Sequence, residues 1–173
     1  IAAAQALIPV AGDNCDGDVT NILEVSGAFV PGMTCPEEGT YTNTWTVTDD
    51  CGNTSTVFTQ VITITDLTAP TWTTAAGALN ATLECSDAAG IAAAQALFPT
   101  ASDNCDGDVS NIVKVSGAFV AGSCPNAGTY TNTWTVTDDC GNTSTVFTQV
   151  ITITDLTAPT WTTAAGALNA TLE

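Results

Sequence analysis

From Thr129 to Thr137 the chain alternates. Tyr130, Asn132, Trp134 and Val136 fall on one side, and five threonines fall on the other. A period of two marks a half-buried strand with a β-branched polar face turned to solvent. Asp138-Asp139-Cys140-Gly141-Asn142 supplies turn-forming residues, and 143–154 predicts the returning strand. Upstream, 78–84 (ALNATLE) predicts a first strand ending at Cys85. Ser86 and Asp87 are N-cap residues ahead of an Ala-rich helix predicted over 88–97, and Pro99 stops it. An acidic loop, DNCDGDVSN, follows from Asp103; 112–115 predicts a short strand, and 117–128, with its Gly, Pro and Cys124, predicts turns.

The pattern then repeats. Residues 39–84 and 128–173 are identical letter for letter, and IAAAQALIP from Ile1 returns as IAAAQALFP from Ile91. The period is about 90 residues, and a fixed period sets the architecture. The expected organisation is a partial repeat lacking its first strand (1–66), a linker (67–70), a complete repeat (71–155), a second linker (156–159) and the opening strand of a further repeat (160–173). Modules this alike supply length, spacing or many copies of one weak contact.

Charge narrows the partners. Eighteen Asp and Glu residues stand against one basic residue, Lys114, for a net charge of −17. Nucleic-acid binding rests on Lys and Arg, so nucleic acid is not expected as a partner. No apolar run has membrane-spanning length, so membrane insertion is not expected either. There is no histidine, which removes the commonest general base and the usual transition-metal ligand. There is no nucleophile elbow, Cys–His pair or phosphate loop, and the paired carboxylates are turn neighbours where a glycosidase needs them facing across a cleft. No enzymatic activity is expected.

Of seven cysteines, the complete repeat holds Cys85, Cys105, Cys124 and Cys140, and the partial one Cys15, Cys35 and Cys51. Four per repeat is an even framework, which in an acidic β protein reads as disulfides formed in an oxidising compartment. No C-x-x-C knuckle is present to favour zinc.

DNCDGDV, GTYTNTWTVTDDCGNTS and the strand ending ITDLTAP together resemble the immunoglobulin-like repeats related to the hyalin repeat, strung in tandem in very large secreted surface proteins of Bacteroidota. The resemblance covers essentially the whole chain and is most specific in the D-D-C-G-N turn and the D-x-T-A-P linker. It implies an all-β fold of tandem immunoglobulin-like β-sandwich modules, an extracellular or cell-surface location, and a stalk, adhesin or filament role. The Ala-rich helix after the first strand departs from simple hyalin-type repeats. In such a sandwich the loop after the second strand and the hairpin before the last strand share one end. On that topology Cys105 is expected to pair with Cys140, Cys15 with Cys51, and Cys85 with Cys124 at the opposite end, leaving Cys35 unpaired in this chain.

The acidic loops carry two alternatives. Asp103, Asp106 and Asp108 in one loop, Asp138 and Asp139 in the next, and Asp66 at the end of the preceding module converge on a head-to-tail junction. Such an oxygen-rich set suits Ca²⁺, which takes six to eight oxygen ligands. Asp and Asn in these positions also form turns and cap backbone N–H groups without any ion. The expected function is a structural segment of a long extracellular fibre or appendage giving reach and rigidity for attachment. Its expected partners are neighbouring repeats of the same chain or identical chains. The alternative is that the modules themselves bind glycans or other cell-surface ligands, with Trp72 and Trp134 as stacking candidates where a core position is the simpler role.

Overall fold

A computed structural model describes residues 1–17 and 19–172, and Asp18 and Glu173 lie outside the described residues. In chain order the elements are α1 (Ala2–Gln5), β1 (Ile22–Val25), β2 (Val30–Pro31), β3 (Gly39–Val47), β4 (Phe58–Ile64), β5 (Thr71–Trp72), β6 (Ala81–Glu84), α2 (Ala88–Gln95), β7 (Ala101–Ser102), β8 (Ile112–Val115), β9 (Val120–Ala121), β10 (Gly128–Val136) and β11 (Phe147–Thr154). The fold is all-β and immunoglobulin-like, with a short helix after β6. Two compact units are distinguished. The first holds Ile1–Thr73 together with Thr100–Val113 and Thr135–Thr145, and the second holds Thr74–Pro99, Lys114–Trp134 and Val146–Glu173.

The alternating strand is the spine of each repeat. β3 runs antiparallel to β4 from Gly39 opposite Ile64 to Trp45 opposite Phe58. Its other edge takes β1 near Val47 and β2 near Gly39. β10 repeats this register with β11, from Gly128 opposite Ile153 to Trp134 opposite Phe147, and carries β8 and β9. β11 takes one more neighbour: β6 lies parallel to it, Ala81 beside Ile151 through Glu84 beside Thr154. In the first repeat the described residues place no strand there.

The identical halves therefore sit in different surroundings. Phe147 is 4% exposed and its copy Phe58 is 55% exposed. Ile151, fully buried, packs with Ile153 and Ala94 of α2, and Ala81 and Leu83 of β6 close over them. The same letters are less buried where β6 is absent and the only helix is α1. Burial of apolar area is worth about 25 cal/mol per Å², so the first strand and the helix are what turn an alternating hairpin into a core.

Much of that core is polar. Asn132 and Gln149 are both fully buried. Asn132 Nδ2 donates to Gln149 Oε1 (2.9 Å) and Gln95 Oε1 (2.7 Å), and its Oδ1 accepts from Gly117 N (3.3 Å). Gln149 Nε2 donates to the carbonyls of Leu79 (2.6 Å) and Ala94 (3.0 Å). Two amides thus tie β10, β11, α2, the approach to β6 and the loop after β8. In the first repeat Asn43 bonds Gln60 and Gly27, and Gln60 bonds the Ala4 carbonyl. Beside this network Lys114 donates to the Gln95 carbonyl and lies 5.1 Å from the Trp134 ring centre and 5.7 Å from that of Phe98. The one cation of the chain is spent on cation–π packing.

Several expectations shift. The first strand forms only at Ala81–Glu84, because Gly77, at φ 78°, turns the chain just before it. The returning strand starts at Phe147, with Thr143 making only an isolated bridge to Thr137. Within the span predicted as turns, β9 adds to β10. The helix ends at Gln95, and Asp87 caps it by accepting from Gly90 N at 2.9 Å.

Two substitutions test this core. Asn132→Leu, similar in size, strips Gly117 N of an acceptor and Gln149 of a donor, and should cost on the order of 3 kcal/mol in urea unfolding followed by tryptophan fluorescence. Gly117→Ala should cost about 1–3 kcal/mol in the same assay, because a Cβ there meets the Thr131 carbonyl oxygen.

Candidate functional site

The first compact unit includes the end of the first repeat, its linker and the two acidic loops of the second repeat. The acidic loops are built by their own side chains. Asp103 Oδ1 accepts from Cys105 N (2.8 Å) and Asp106 N (3.1 Å). Asp106, buried, accepts from Asp108 N (2.8 Å) and reaches across to Asp139 N (3.2 Å), so the two loops do lie side by side. Asp138, also buried, accepts from both the backbone and the side chain of Asn142. The first repeat has the same contacts, with Asp16 accepting from Asp50 N and Asp49 from Asn53.

The linker docks onto these loops. Asn142 Nδ2 donates to the Asp66 carbonyl (3.1 Å), and Glu38 accepts from Asp66 N (3.1 Å). Trp72 Nε1 donates to the Thr145 carbonyl (2.7 Å), while β5 pairs with β7. Pro70 and Asp66 are buried. The invariant D-x-T-A-P stretch is therefore held at both ends.

A covalent bond closes the same region. Cys35 and Cys140 form a disulfide across 105 residues, with their Cα atoms 4.7 Å apart. The expected Cys105–Cys140 pair and an unpaired Cys35 are both corrected. Neighbouring loops were rightly expected, but the D-D-C-G-N turn presents Cys140 to the end of the preceding repeat, where Cys35 waits buried. Cys15, Cys51, Cys85, Cys105 and Cys124 are free thiols. The expected Cys15–Cys51 and Cys85–Cys124 bonds are thus also absent, although Cys15 and Cys51 line one hollow and the charge of Cys124 acts on Cys85.

Of the six predicted cation ligands, the structure brings two together with open oxygens. One carboxylate oxygen each of Asp66 and Asp103 and the Cys105 sulfur lie within 4.8 Å of one another. Asp66 Oδ2 and Asp103 Oδ2 are buried and meet no hydrogen-bond donor, and the same holds for Glu37 Oε2. Glu37 is close enough for its charge to act on Cys105, and sequence reasoning missed it because it lies outside the acidic loops and becomes Asn126 in the next repeat. Asp106 and Asp138 are spent on turn hydrogen bonds, and Asp108 and Asp139 are exposed outside the cluster. The backbone N–H groups of Cys105 and then Asp106 hold the Asp103 carboxyl below its ordinary range, so it stays ionised at neutral pH. Desolvation and then the charge of Asp66 push the Cys105 thiol up, keeping it protonated there.

Trp45 and Trp134 are buried beside Phe58 and Phe147 and belong to the core. Among the described residues no helix is long and apolar enough to cross a membrane. No curated protein and no solved structure matches the chain. A family match does exist: residues 73–153 match the HYR-like domain with 4 cysteines. The four are Cys85, Cys105, Cys124 and Cys140, and the first repeat shares the matched sequence from Gly39 onward. Over these residues, a little under half of the chain, the second repeat is similar to the HYR-like domain, which supports a relation to the hyalin repeat.

Proposed function

We propose that the chain is a structural segment of a long extracellular bacterial fibre or surface appendage, in which repeats supply reach and stiffness for attachment. The observation that carries this is the Cys35–Cys140 bond, which ties one repeat to the next. The anchored linker and the identical copies that build each junction support it. Direct glycan binding by every repeat would call for exposed aromatic faces, and the strand tryptophans Trp45 and Trp134 are in the core.

We further propose that a calcium ion sits at the junction on Asp66 and Asp103. Each has a buried carboxylate oxygen without a donor, and an oxygen of each lies within 4.8 Å of the other, which suits a hard cation that takes oxygen ligands, with water completing its shell. The ion would offset the repulsion of a chain at −17. The partners are neighbouring repeats, in the same chain or in identical ones.

Pulling single molecules by their two ends tests the fibre reading. The oxidised chain should release about 350–380 Å less length than the reduced chain, since 105 residues stay locked at about 3.3–3.6 Å each. Equal lengths, or reproducible binding of the chain on a glycan array, would overturn it. For the ion, calorimetric titration with CaCl₂ should give heat that Asp66→Asn and Asp103→Asn each abolish, and a native chain giving no heat would remove calcium from the junction.

A further inference from the structure

The observed disulfide runs from the third cysteine of one repeat to the fourth of the next. The other two cysteines of each repeat have a matching geometry. In the second unit Cys85 directly follows β6, and its sulfur lies within 4.8 Å of an oxygen of Glu84 and an oxygen of Asp155. In the first unit the Cys105 sulfur lies within 4.8 Å of an oxygen of Asp66 and an oxygen of Asp103. Asp66 and Asp155 are the same position of the identical stretch, each two residues past Ile64 or Ile153 on strands of the same register. The two triangles thus share a corner. In a repeat that carries β6 and is followed by another repeat, the first cysteine and the follower's second cysteine approach one carboxylate.

We propose that consecutive repeats are joined by two disulfides. The third cysteine of one repeat bonds the fourth of the next, as Cys35 does Cys140, and the first cysteine of one repeat bonds the second of the next. Cys85 then pairs with the follower's counterpart of Cys105, and Cys105 with the preceding repeat's counterpart of Cys85. The bond forms by thiol–disulfide exchange with a small oxidised disulfide of the extracellular milieu. Two cysteine thiols are oxidised to one S–S bond, two protons pass to the departing thiolates, and the donor leaves as two reduced thiols. The scheme accounts for the pairing found. Between Ile1 and Glu173 only Cys35 and Cys140 have both members present, and Cys15, Cys51, Cys85, Cys105 and Cys124 are free.

This inference rests on the array reading, and its test separates the two. The chain is extended at Ile1 by a copy of residues 71–90, which supplies β6 and the missing first cysteine. It is oxidised in a glutathione redox buffer, alkylated with iodoacetamide and mapped by mass after cleavage at aspartate, beside the unextended chain. The expected map links Cys105 to the added cysteine, keeps Cys35–Cys140, and shows Cys105 losing the alkylation it takes in the unextended chain. Cys105→Ser in the extended chain should leave the added cysteine alkylated. An added cysteine bonded to Cys35, a Cys105–Cys140 bond, a Cys105 still alkylated, or a missing Cys35–Cys140 bond would each overturn the scheme. The map does not depend on what the array is for, so reproducible binding of the chain on a glycan array, which overturns the fibre reading, would leave it standing.

Discussion

The pair of inward amides, Asn132 with Gln149, both buried, and buried Asn43 with half-buried Gln60, is the constraint on which each repeat depends. Apolar material is scarce: around Ile151 and Ile153 the core is closed by small residues such as Ala81 and Ala94. A strand pair with so thin a core gains uniqueness from groups that must find partners. An unpaired amide in a dry interior costs about 1–3 kcal/mol per lost bond. The bonds found reach the approach to β6 at Leu79, α2 at Ala94 and Gln95, and the loop after β8 at Gly117. The helix is docked less by its own apolar face than by its last carbonyls and Gln95.

That explains what could be read in the letters and what could not. The alternation of TYTNTWTVT made the central strand, its buried face and its return legible, including the inward Asn132. What escaped was why an asparagine is there, since its partners lie at positions 95, 117 and 149, those of Gln149 lie at 79 and 94, and no local pattern connects them. The same limit applied to Phe58 and Phe147. Their flanking residues are identical, yet one is buried and the other exposed, so the difference comes from residues distant in sequence.

The junction shows a related limit. The adjacency of the two acidic loops was legible from topology, and the Asp106 to Asp139 bond bears it out. The cysteine pairing failed because it was solved inside one repeat. A four-cysteine module looks self-contained when counted alone. The repeat unit of the bonding, however, is the junction. Glu37 was overlooked for the same reason: it acts on the following repeat, and its own copy has no carboxylate.

Bonding across junctions changes how such an array bears load. A single disulfide leaves a swivel about its own axis, whereas two at separated points also resist twist and bend. Under tension, force passes by the shortest covalent route. Entering a repeat at its fourth cysteine and leaving at its third, it crosses only the segment 124–140, with β10 at its centre, or 35–51, with β3 at its centre. The parallel route from second to first cysteine crosses 85–105, the segment holding α2. Nine residues of extended strand already span about 31 Å at 3.4 Å each, so the central part of the first route begins extended. The return strand, the β5–β7 pair and the linker then carry no covalent tension, and their hydrogen bonds serve to hold the stretched strand in register.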